Sequence, residues 1–247
     1  MDFTNKNVVI TGGSTGIGLA TAKAFIDAGA NVLITSRSEA NLQAAAAEIN
    51  SPKLKTVVSD TANLAGIAKL QQAVEAAGNK LDVLFLNAGI AVFAPIAEAT
   101  EADFDNQFNT NVKGHFFTLQ KLLPHLADGS AVVFTSSTVA TAAGLGTSIY
   151  SSTKGALNKI AQIAANELAE RKIRVNIVSP GPVETPGLDK AVPQEAHGVL
   201  AAATALQRLG KADEIAKTVL FLASDHASFV SGTELIVDGG YTTYARK

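Results

Sequence analysis

The sequence predicts an α/β fold in which one domain, covering residues 1–247, is built on a doubly wound parallel sheet of about seven strands with helices on both faces. First, short β-branched runs alternate with longer Ala/Leu-rich helical patterns from end to end. Second, strand candidates such as Val83-Leu84-Phe85-Leu86 are apolar throughout, as expected when both faces of a sheet are covered. Third, no linker, low-complexity tract or internal repeat divides the chain.

The first half of the chain contains four predicted strands, each a short run rich in Val, Ile, Leu or Thr. Helices are predicted between them because Ala, Leu and other strong helix formers recur there at helical spacing. In chain order the elements are a strand at 7–11, a helix near 16–29, a strand at 31–35, a helix near 39–50, a strand at 54–59, a helix near 63–78 and a strand at 82–86.

The second half continues the alternation, with two long helical patterns. Its elements are a helix near 101–127, a strand at 130–136, a helix near 149–171, a strand at 173–179, a helix near 212–224 and a strand at 234–237. Prolines and glycines punctuate the mostly apolar segment 186–206, which breaks this rhythm. Because it follows the carboxyl end of a strand, where doubly wound sheets bind ligands, we predict a mobile lid over a site. The alternative is a surface excursion with one short helix.

Composition and charge exclude several classes of function. The formal net charge is −2, which gives no electrostatic reason to expect a nucleic-acid or anionic-membrane partner. The chain has no cysteine, which excludes disulfides and thiolate ligands, and its four histidines are scattered without ligand-like spacing, so no metal site is predicted. No apolar run approaches the length of a membrane span, and the N-terminal residues lack a signal-peptide pattern. We therefore expect a cytoplasmic protein.

A glycine-rich turn follows the first predicted strand and opens the first helix. It contains Gly12, Gly13, Gly16 and Gly18, spaced Gly-x-x-x-Gly-x-Gly from Gly12 onward. In this position glycines permit a tight turn, close approach of the backbone to a pyrophosphate, and close packing of helix on strand. The turn predicts dinucleotide binding, with the contacts coming from Gly12, Ser14, Thr15, Gly16, Ile17 and Gly18.

The end of the second strand predicts which dinucleotide binds. A free ribose 2′-hydroxyl is usually bound by an acidic residue at this point, but the chain has no acid there before Glu39. Arg37 can instead pair with a 2′-phosphate, and Ser36 can add a hydroxyl donor. We predict NADP(H) as the cofactor, the alternative being that Arg37 is a solvated loop residue.

Tyr150 and Lys154 are four residues apart in the helix predicted near 149–171, so they share one helix face. A free tyrosine has a pKa of about 10 and is a poor acid–base catalyst at neutral pH. A fixed ammonium beside it should favour the phenolate and lower that pKa. The pair, with Ser137 thirteen residues upstream, predicts an oxidoreductase.

These motifs together resemble the short-chain dehydrogenase/reductase family, along essentially the whole chain. The resemblance implies a Rossmann-type fold and extends to Asp60, Thr61, Asn87-Ala88-Gly89, Asn111, Pro180-Gly181 with Val183 and Thr185, and Asp238-Gly239-Gly240. It implies that Asp60 and Thr61 contact the adenine, that the segment from Pro180 to Thr185 holds the nicotinamide carboxamide, and that Tyr150 and Lys154 also contact the cofactor. The chain departs from the family pattern at Leu86, where an asparagine is usual.

The resemblance also implies a mechanism. Tyr150 would donate a proton to the carbonyl oxygen, and Ser137, with Ser136 as a rival, would hydrogen-bond that oxygen. Lys154 would lower the pKa of Tyr150 and bind the ribose hydroxyls, and Asn111 would hold a water that links Lys154 to solvent. Family members of this size are typically homotetramers, so helices 101–127 and 149–171 are predicted to form a shared interface; the alternative is that their apolar stripes pack against the sheet.

The predicted substrate is a small or medium apolar ketone or ketoester, reduced reversibly to a secondary alcohol. The lid and residues 138–147 are rich in Ala, Val, Leu and Gly and carry few charges. A reductase of 3-oxoacyl-carrier-protein remains an alternative, although Arg171 and Lys172 are the only obvious basic pair near the entrance. A non-catalytic NADP(H)-binding redox sensor is a second alternative, disfavoured because Asn111, Ser137, Tyr150 and Lys154 are all present.

Overall fold

A computed structural model describes residues 1–243 and contains a seven-stranded parallel sheet in the order β3-β2-β1-β4-β5-β6-β9. Its strands are β1 (Asn7–Ile10), β2 (Asn31–Ser36), β3 (Leu54–Val58), β4 (Leu81–Leu86), β5 (Leu126–Thr135), β6 (Arg174–Pro180) and β9 (Glu234–Val237). Two short strands, β7 (Val183–Glu184) and β8 (Gly210–Lys211), pair separately. The predicted fold class is confirmed, including the number of strands in the main sheet.

Helices cover both faces of this sheet. They are α1 (Gly16–Asp27), α2 (Glu39–Ile49), α3 (Leu64–Ala77), α4 (Glu101–Phe108), α5 (Gly114–Leu122), α6 (Ser148–Glu167), α7 (Pro186–Ala191), α8 (Ala196–Ala202) and α9 (Ala212–Ala223). Helices α1 and α9 pack together on one face, whereas α3, α5 and α6 lie on the other. Among residues 1–243, no helix combines the length and apolar character needed to cross a bilayer.

Each face of the sheet has its own apolar core. Successive strand residues point to opposite faces, so Phe85 packs with Phe25 of α1 while its neighbour Leu84 packs with Leu157 of α6. All four side chains are completely buried. The strands are therefore apolar at consecutive positions, which is the pattern that identified them in the sequence.

The predicted helix 101–127 and strand 130–136 are wrong in their bounds. Helix α4 is followed by a π-helical turn at Asn109–Lys113, then by α5 and a 3₁₀ turn at Leu123–His125, and β5 already begins at Leu126. Pro124 has no N–H to donate, which prevents the helix from continuing there. The start of β5 is irregular in its pairing with β4, because the register shifts between Leu81 and Val83.

The segment 186–206 contains two short helices, α7 and α8. The alternative to a lid, a surface excursion, was expected to contain only one. The segment's first helix is capped by Thr185, whose side chain accepts a hydrogen bond from the N–H of Leu188 at 3.1 Å. The segment's last residue is Leu206, whose N–H donates to the carbonyl of Gly239 at 3.2 Å. The segment is thus anchored at both ends beside the carboxyl edge of the sheet.

The carboxyl ends of β1, β4 and β5 are held together by the side chain of Asn87. Its Nδ2 donates to the carbonyls of Thr11 and Gly12, both at 3.2 Å, and its Oδ1 accepts from the hydroxyl of Thr135 at 3.2 Å. The N–H of Asn87 donates to the hydroxyl of Thr11 at 2.9 Å. The strand order reverses between β1 and β4, so this carboxamide lies at the switch point where doubly wound sheets bind ligands.

Replacing this carboxamide should destabilise the fold. Asn87→Leu leaves two carbonyls and the Thr135 hydroxyl without their partner, so we expect the free energy of unfolding to fall by about 2–3 kcal/mol. Urea denaturation measures the change. The control is Asn166→Leu, since Asn166 is exposed on α6 and its Nδ2 donates only to the carbonyl of Gln162; its change should stay within about 0.5 kcal/mol. Equal losses in the two variants would contradict this account.

Candidate active site

The glycine turn between β1 and α1 packs tightly against the loop after β4. Gly12 has φ +64°, and a Cβ there would lie 2.9 Å from the Cα of Ala88. A Cβ on Gly18 would lie 2.2 Å from the carbonyl oxygen of Gly12. No side chain fits at either position, so the backbone of the turn is left bare at the carboxyl edge of the sheet.

The first turn of α1 has no side-chain cap, unlike those of α2, α3 and α4. Ser38, Asn63 and Thr100 each accept a hydrogen bond from their helix, whereas the side chain of Thr15 makes no cap at α1. The N–H groups at the start of a helix need acceptors and attract anions. The bare glycine turn and this uncapped helix start fit the pyrophosphate of a dinucleotide.

The end of β2 presents an exposed cation. Arg37 is exposed and forms no ion pair or side-chain hydrogen bond with any residue between 1 and 243. Ser36, just before it, accepts a hydrogen bond from the N–H of Ser38 at 3.2 Å, and its own hydroxyl proton remains available. Glu39 is exposed at the start of α2. This end of the site fits an anionic substituent on the cofactor's ribose.

Asp60 and Thr61 follow β3. The carboxylate of Asp60 accepts from the N–H of Ala62 and from Nδ2 of Asn63, both at 3.0 Å. These bonds fix the turn into α3 and use one acceptor position on each oxygen, leaving others available. Thr61 is buried, and a Cβ on Gly114 would lie 2.5 Å from its carbonyl oxygen.

Ser137, Tyr150 and Lys154 converge beside the loop after β4. Ser137 follows β5, and its hydroxyl lies close enough to Tyr150, in the first turn of α6, to lower the pKa of the phenol. Lys154, one turn later, is 2% exposed, and its Nζ lies 5.6 Å from the centre of the Tyr150 ring. The rival Ser136 is buried and faces the carbonyl of Lys154 at 3.5 Å, away from any entrance.

The pKa values in this group differ from the sequence-based expectation. Burial raises the pKa of Tyr150 to about 12, opposed by the nearby hydroxyl of Ser137, so the prediction that this pKa is lowered is wrong for this arrangement. Burial also lowers the pKa of Lys154 to about 8. The Nζ of Lys154 donates to the carbonyl of Thr135 at 2.9 Å, which holds the ammonium beside the ring. Removing the phenol from water raises its pKa more than the nearby Ser137 hydroxyl lowers it.

Asn111 lies in the π-helical turn and is completely buried. Its Nδ2 donates to the carbonyl of Ile90 at 2.8 Å and to the hydroxyl of Thr153 at 3.1 Å, while its Oδ1 accepts from the N–H of Ile90 at 2.9 Å. A Cβ on Gly89 would lie 3.5 Å from this Oδ1 and 3.7 Å from Nζ of Lys154. Asn111 and Lys154 thus flank Gly89.

The segment after β6 reaches the glycine turn. The N–H of Gly181, following Pro180, donates to the carbonyl of Val237 at 3.0 Å. Val183 is buried, and the methyl of Thr185 would lie 3.3 Å from a Cβ on Gly16. The predicted residues from the glycine turn, β4, β5, α6 and β6 therefore all lie along one edge of the sheet.

Sequence reasoning missed three residues of this region. Gln107 is completely buried and pairs with the backbone of Val92, and the ring of Phe93 lies against the ring of Tyr150. His115 is also completely buried, and burial together with the charge of Lys154 lowers its pKa to about 3. The one available signal was the position of Gln107, four residues before Asn111 on a helix.

Comparisons with known proteins agree with this geometry. The family model described as enoyl-(acyl carrier protein) reductase matches residues 12–242. An uncharacterised oxidoreductase of Methylorubrum extorquens is 40% identical over 240 residues, covering 95% of this chain and 97% of the relative. The 3-oxoacyl-[acyl-carrier-protein] reductase FabG of Thermotoga maritima is 34% identical over 244 residues, covering 97% of this chain and 99% of the relative.

Solved structures also match this chain over almost its whole length. A short-chain dehydrogenase from Burkholderia cenocepacia, in complex with NADP, superposes with a TM-score of 0.90 at 33% identity. The match covers 98% of this chain and 100% of that one. With the parallel sheet, the glycine turn and the Ser137–Tyr150–Lys154 group in place, the chain belongs to the short-chain dehydrogenase/reductase family of oxidoreductases.

Proposed function

We propose that the protein is an NADPH-dependent reductase that converts a small or medium ketone or ketoester to a secondary alcohol, reversibly. The observation that carries the proposal is the convergence of Ser137, Tyr150 and Lys154 beside Gly89, next to a glycine turn suited to a dinucleotide. All of these groups lie at the carboxyl edge, where this class of sheet binds ligands.

The residues proposed to hold the cofactor are Gly12, Ser14, Thr15, Gly16, Ile17, Gly18, Ser36, Arg37, Asp60, Thr61, Asn87, Ala88, Gly89, Tyr150, Lys154, Pro180, Gly181, Val183 and Thr185. The uncapped start of α1 would bind the pyrophosphate, and the Lys154 ammonium beside Gly89 would bind ribose hydroxyls. When bound, the nicotinamide supplies the hydride; the protein's part is to position the substrate and manage the proton.

Tyr150 is the proposed proton donor to the carbonyl oxygen. With a pKa of about 12 its hydroxyl stays protonated at neutral pH, which is the form that reduction requires. Ser137, which lies beside that phenol, would stabilise the charge that develops on the substrate oxygen. The ammonium of Lys154 would stabilise the phenolate left after proton transfer, and Asn111 is proposed to connect Lys154 to solvent water.

Arg37 supports NADP(H) over NAD(H). It is exposed, and it has no carboxylate partner within residues 1–243 that would have to be displaced by a 2′-phosphate. A structural neighbour of the same family, from Burkholderia cenocepacia, was solved with NADP. Ser36 is proposed to donate a hydroxyl hydrogen bond to the same phosphate.

An apolar substrate is supported by the walls of the entrance. Residues 138–147, after β5, contain no charged side chain, and Leu145 in that loop is fully exposed. The segment 186–206, proposed as a lid, adds the exposed Val199 and Leu206. Such walls bury apolar groups and offer a charged substrate few partners, which are Asp189, Lys190 and Glu195 in the segment 186–206.

A carrier-protein substrate is the second candidate. The relative from Thermotoga maritima is a 3-oxoacyl-carrier-protein reductase, and the matching family model is named for an enoyl-carrier-protein reductase. An acidic carrier protein would need basic residues at the entrance, and residues 138–147 contain none. The apolar ketone is therefore preferred.

Assembly and location are further parts of the proposal. Phe104 on α4, Phe116 on α5 and Ile163 on α6 are each nearly half exposed, so these helices present apolar side chains that a second copy of the chain could cover. We propose a homotetramer in the cytoplasm, acting on a small molecule, without a nucleic-acid or membrane partner.

Removing the Tyr150 hydroxyl tests the role of the proton donor. Tyr150→Phe should lower kcat by about 10³-fold or more, because the carbonyl oxygen then has no positioned acid, while the dissociation constant for NADPH changes little. Initial-rate kinetics and NADPH fluorescence measure the two effects. Tyr241→Phe is the control, since Tyr241 lies in the turn after β9. Substantial residual turnover in Tyr150→Phe would refute the assignment.

Arg37 tests the choice of cofactor. Arg37→Ala should reduce the ratio of kcat/KM for NADPH over NADH by about 10- to 100-fold, because a charge-assisted hydrogen-bonded pair contributes about that much to binding. The control is Lys55→Ala, which removes an exposed cation from β3. Lys55 pairs with Leu33, nearer the amino end of the strands than Arg37, so its loss should leave the ratio unchanged. An unaltered ratio in Arg37→Ala would mean that this arginine does not select the cofactor.

The pKa of Lys154 predicts the pH dependence of reduction. Because burial lowers that pKa to about 8, the ammonium is present below this pH and is lost above it. The phenolate formed by Tyr150 then loses its counter-charge, so kcat should fall as the pH rises through about 8. Lys159→Met, at an exposed position on α6, should keep this falling limb. A kcat that stays constant up to about pH 9.5 would contradict the prediction.

A further inference from the structure

Two buried carboxamides on consecutive turns of one helical segment pair with the extended chain after β4. Gln107, in α4, accepts from the N–H of Val92 and donates to its carbonyl, both at 3.2 Å. Asn111, four residues later, makes the same two-way pairing with Ile90. Both side chains are completely buried. The two amides therefore bind alternate residues of this segment as a neighbouring strand would.

This pairing is the one structural reason we find for a glutamine at position 107. A buried carboxamide costs free energy unless its donor and its acceptor are both satisfied, and Val92 satisfies both. An apolar residue of similar size would fill the volume but would leave the N–H and carbonyl of Val92 without these partners. The residue thus acts on the backbone of the segment that it binds.

The segment is also held from its far side. The N–H of Ala94 donates to the carbonyl of Gly146 at 2.9 Å, in the loop between β5 and α6. Phe93 lies between this bond and the bonds from Gln107, so its backbone has little freedom. Its ring is directed at Tyr150: the ring centres are 5.6 Å apart and the planes meet at 69°.

Phe93 is an apolar surface directly beside the proposed proton donor. The residue is only partly buried, and its ring lies edge-on to the ring of Tyr150. An aromatic edge or face of this kind binds flat apolar groups by offset stacking or edge-to-face contact. A substrate whose carbonyl oxygen meets the Tyr150 hydroxyl would place its neighbouring substituent against this ring.

We infer that Phe93 forms the wall on which the carbonyl substituent of the substrate rests, that Gln107 positions this wall through the backbone of Val92, and that the site therefore favours aryl ketones over small alkyl ketones. The inference rests on the proposed carbonyl reductase function and names its substrate class. Gln107 is a positioning residue, because its side-chain hydrogen bonds within residues 1–243 are both made with the segment that carries Phe93.

The experiment compares acetophenone with butanone in wild type, Phe93→Ala, Phe93→Leu and Gln107→Met. Wild type should prefer acetophenone, and Phe93→Ala should lower the ratio of kcat/KM for acetophenone over butanone by about three- to tenfold, the worth of an aromatic pair. Phe93→Leu keeps an apolar side chain and should lose part of the ratio. Gln107→Met should raise KM for acetophenone about threefold with little change in kcat or in NADPH affinity, since it loosens the wall without touching the reacting groups.

Asn176 supplies a matched control. It is a buried carboxamide in β6 with the same two-way pairing to a loop, donating to the carbonyl of Val230 at 2.8 Å and accepting from the N–H of Thr233 at 3.2 Å. Asn176→Leu should lower the melting temperature and leave the ratio of the two ketones unchanged. An equal shift of the ratio in Gln107→Met and Asn176→Leu would show that Gln107 acts only through stability, and would overturn its positioning role.

A binding measurement separates this inference from the proposed function. The ¹⁹F NMR signal of 4-fluoroacetophenone, titrated into the protein with NADP⁺, reports ketone binding without turnover. Binding that weakens in Phe93→Ala supports the wall even if wild type reduces neither ketone, in which case the proposed function fails alone. Turnover with a ratio unaffected by Phe93→Ala overturns the wall and leaves the proposed function standing. If wild type neither reduces nor binds these ketones, both are overturned.

Discussion

The hydrogen-bonding needs of the backbone at the carboxyl edge of the sheet constrain the whole site. Parallel strands end there in irregular loops whose N–H and carbonyl groups have no neighbouring strand, and burying such groups without partners is costly. Side-chain carboxamides meet that need: Asn87 ties the glycine turn to β4 and β5, while Asn111 and Gln107 bind the chain after β4. The glycine turn, Tyr150 and Phe93 keep their relative positions through these bonds.

The small number of polar partners available to buried groups also explains the pKa values in the site. Lys154 is almost fully buried, with the carbonyl of Thr135 as the acceptor of its ammonium and no carboxylate bound to it in residues 1–243. A buried ammonium without an anion has a lowered pKa, and a buried phenol has a raised one. Their pKa values, about 8 for Lys154 and about 12 for Tyr150, lie far apart, whereas those of the free side chains nearly coincide, so the phenol keeps its proton at neutral pH while the ammonium loses its own just above it. His115, neutral behind them, adds no competing charge.

The fold and most of the candidate site were predictable from the sequence because they depend on local patterns. Consecutive apolar residues in short runs identified the strands, and the glycine turn and the Tyr150–Lys154 spacing identified the edge where they meet. The π-helical turn at Asn109–Lys113 was not predictable, since apolar residues continue through it at helical spacing. The pairing of Gln107 with Val92 and the contact of Phe93 with Tyr150 join residues far apart in the chain, so no local pattern reveals them. The direction of the Tyr150 pKa shift depends on burial, which spacing alone does not give.

We propose that this edge of the sheet performs NADPH-dependent carbonyl reduction on a small apolar substrate. The most direct measurement is the oxidation of NADPH, and of NADH in parallel, with acetophenone, ethyl acetoacetate and an acetoacetyl thioester as acceptors. We expect turnover of the ketone and the ketoester, faster with NADPH than with NADH. Turnover of the thioester alone would favour the carrier-protein alternative, and tight NADPH binding without turnover of any acceptor would contradict the account.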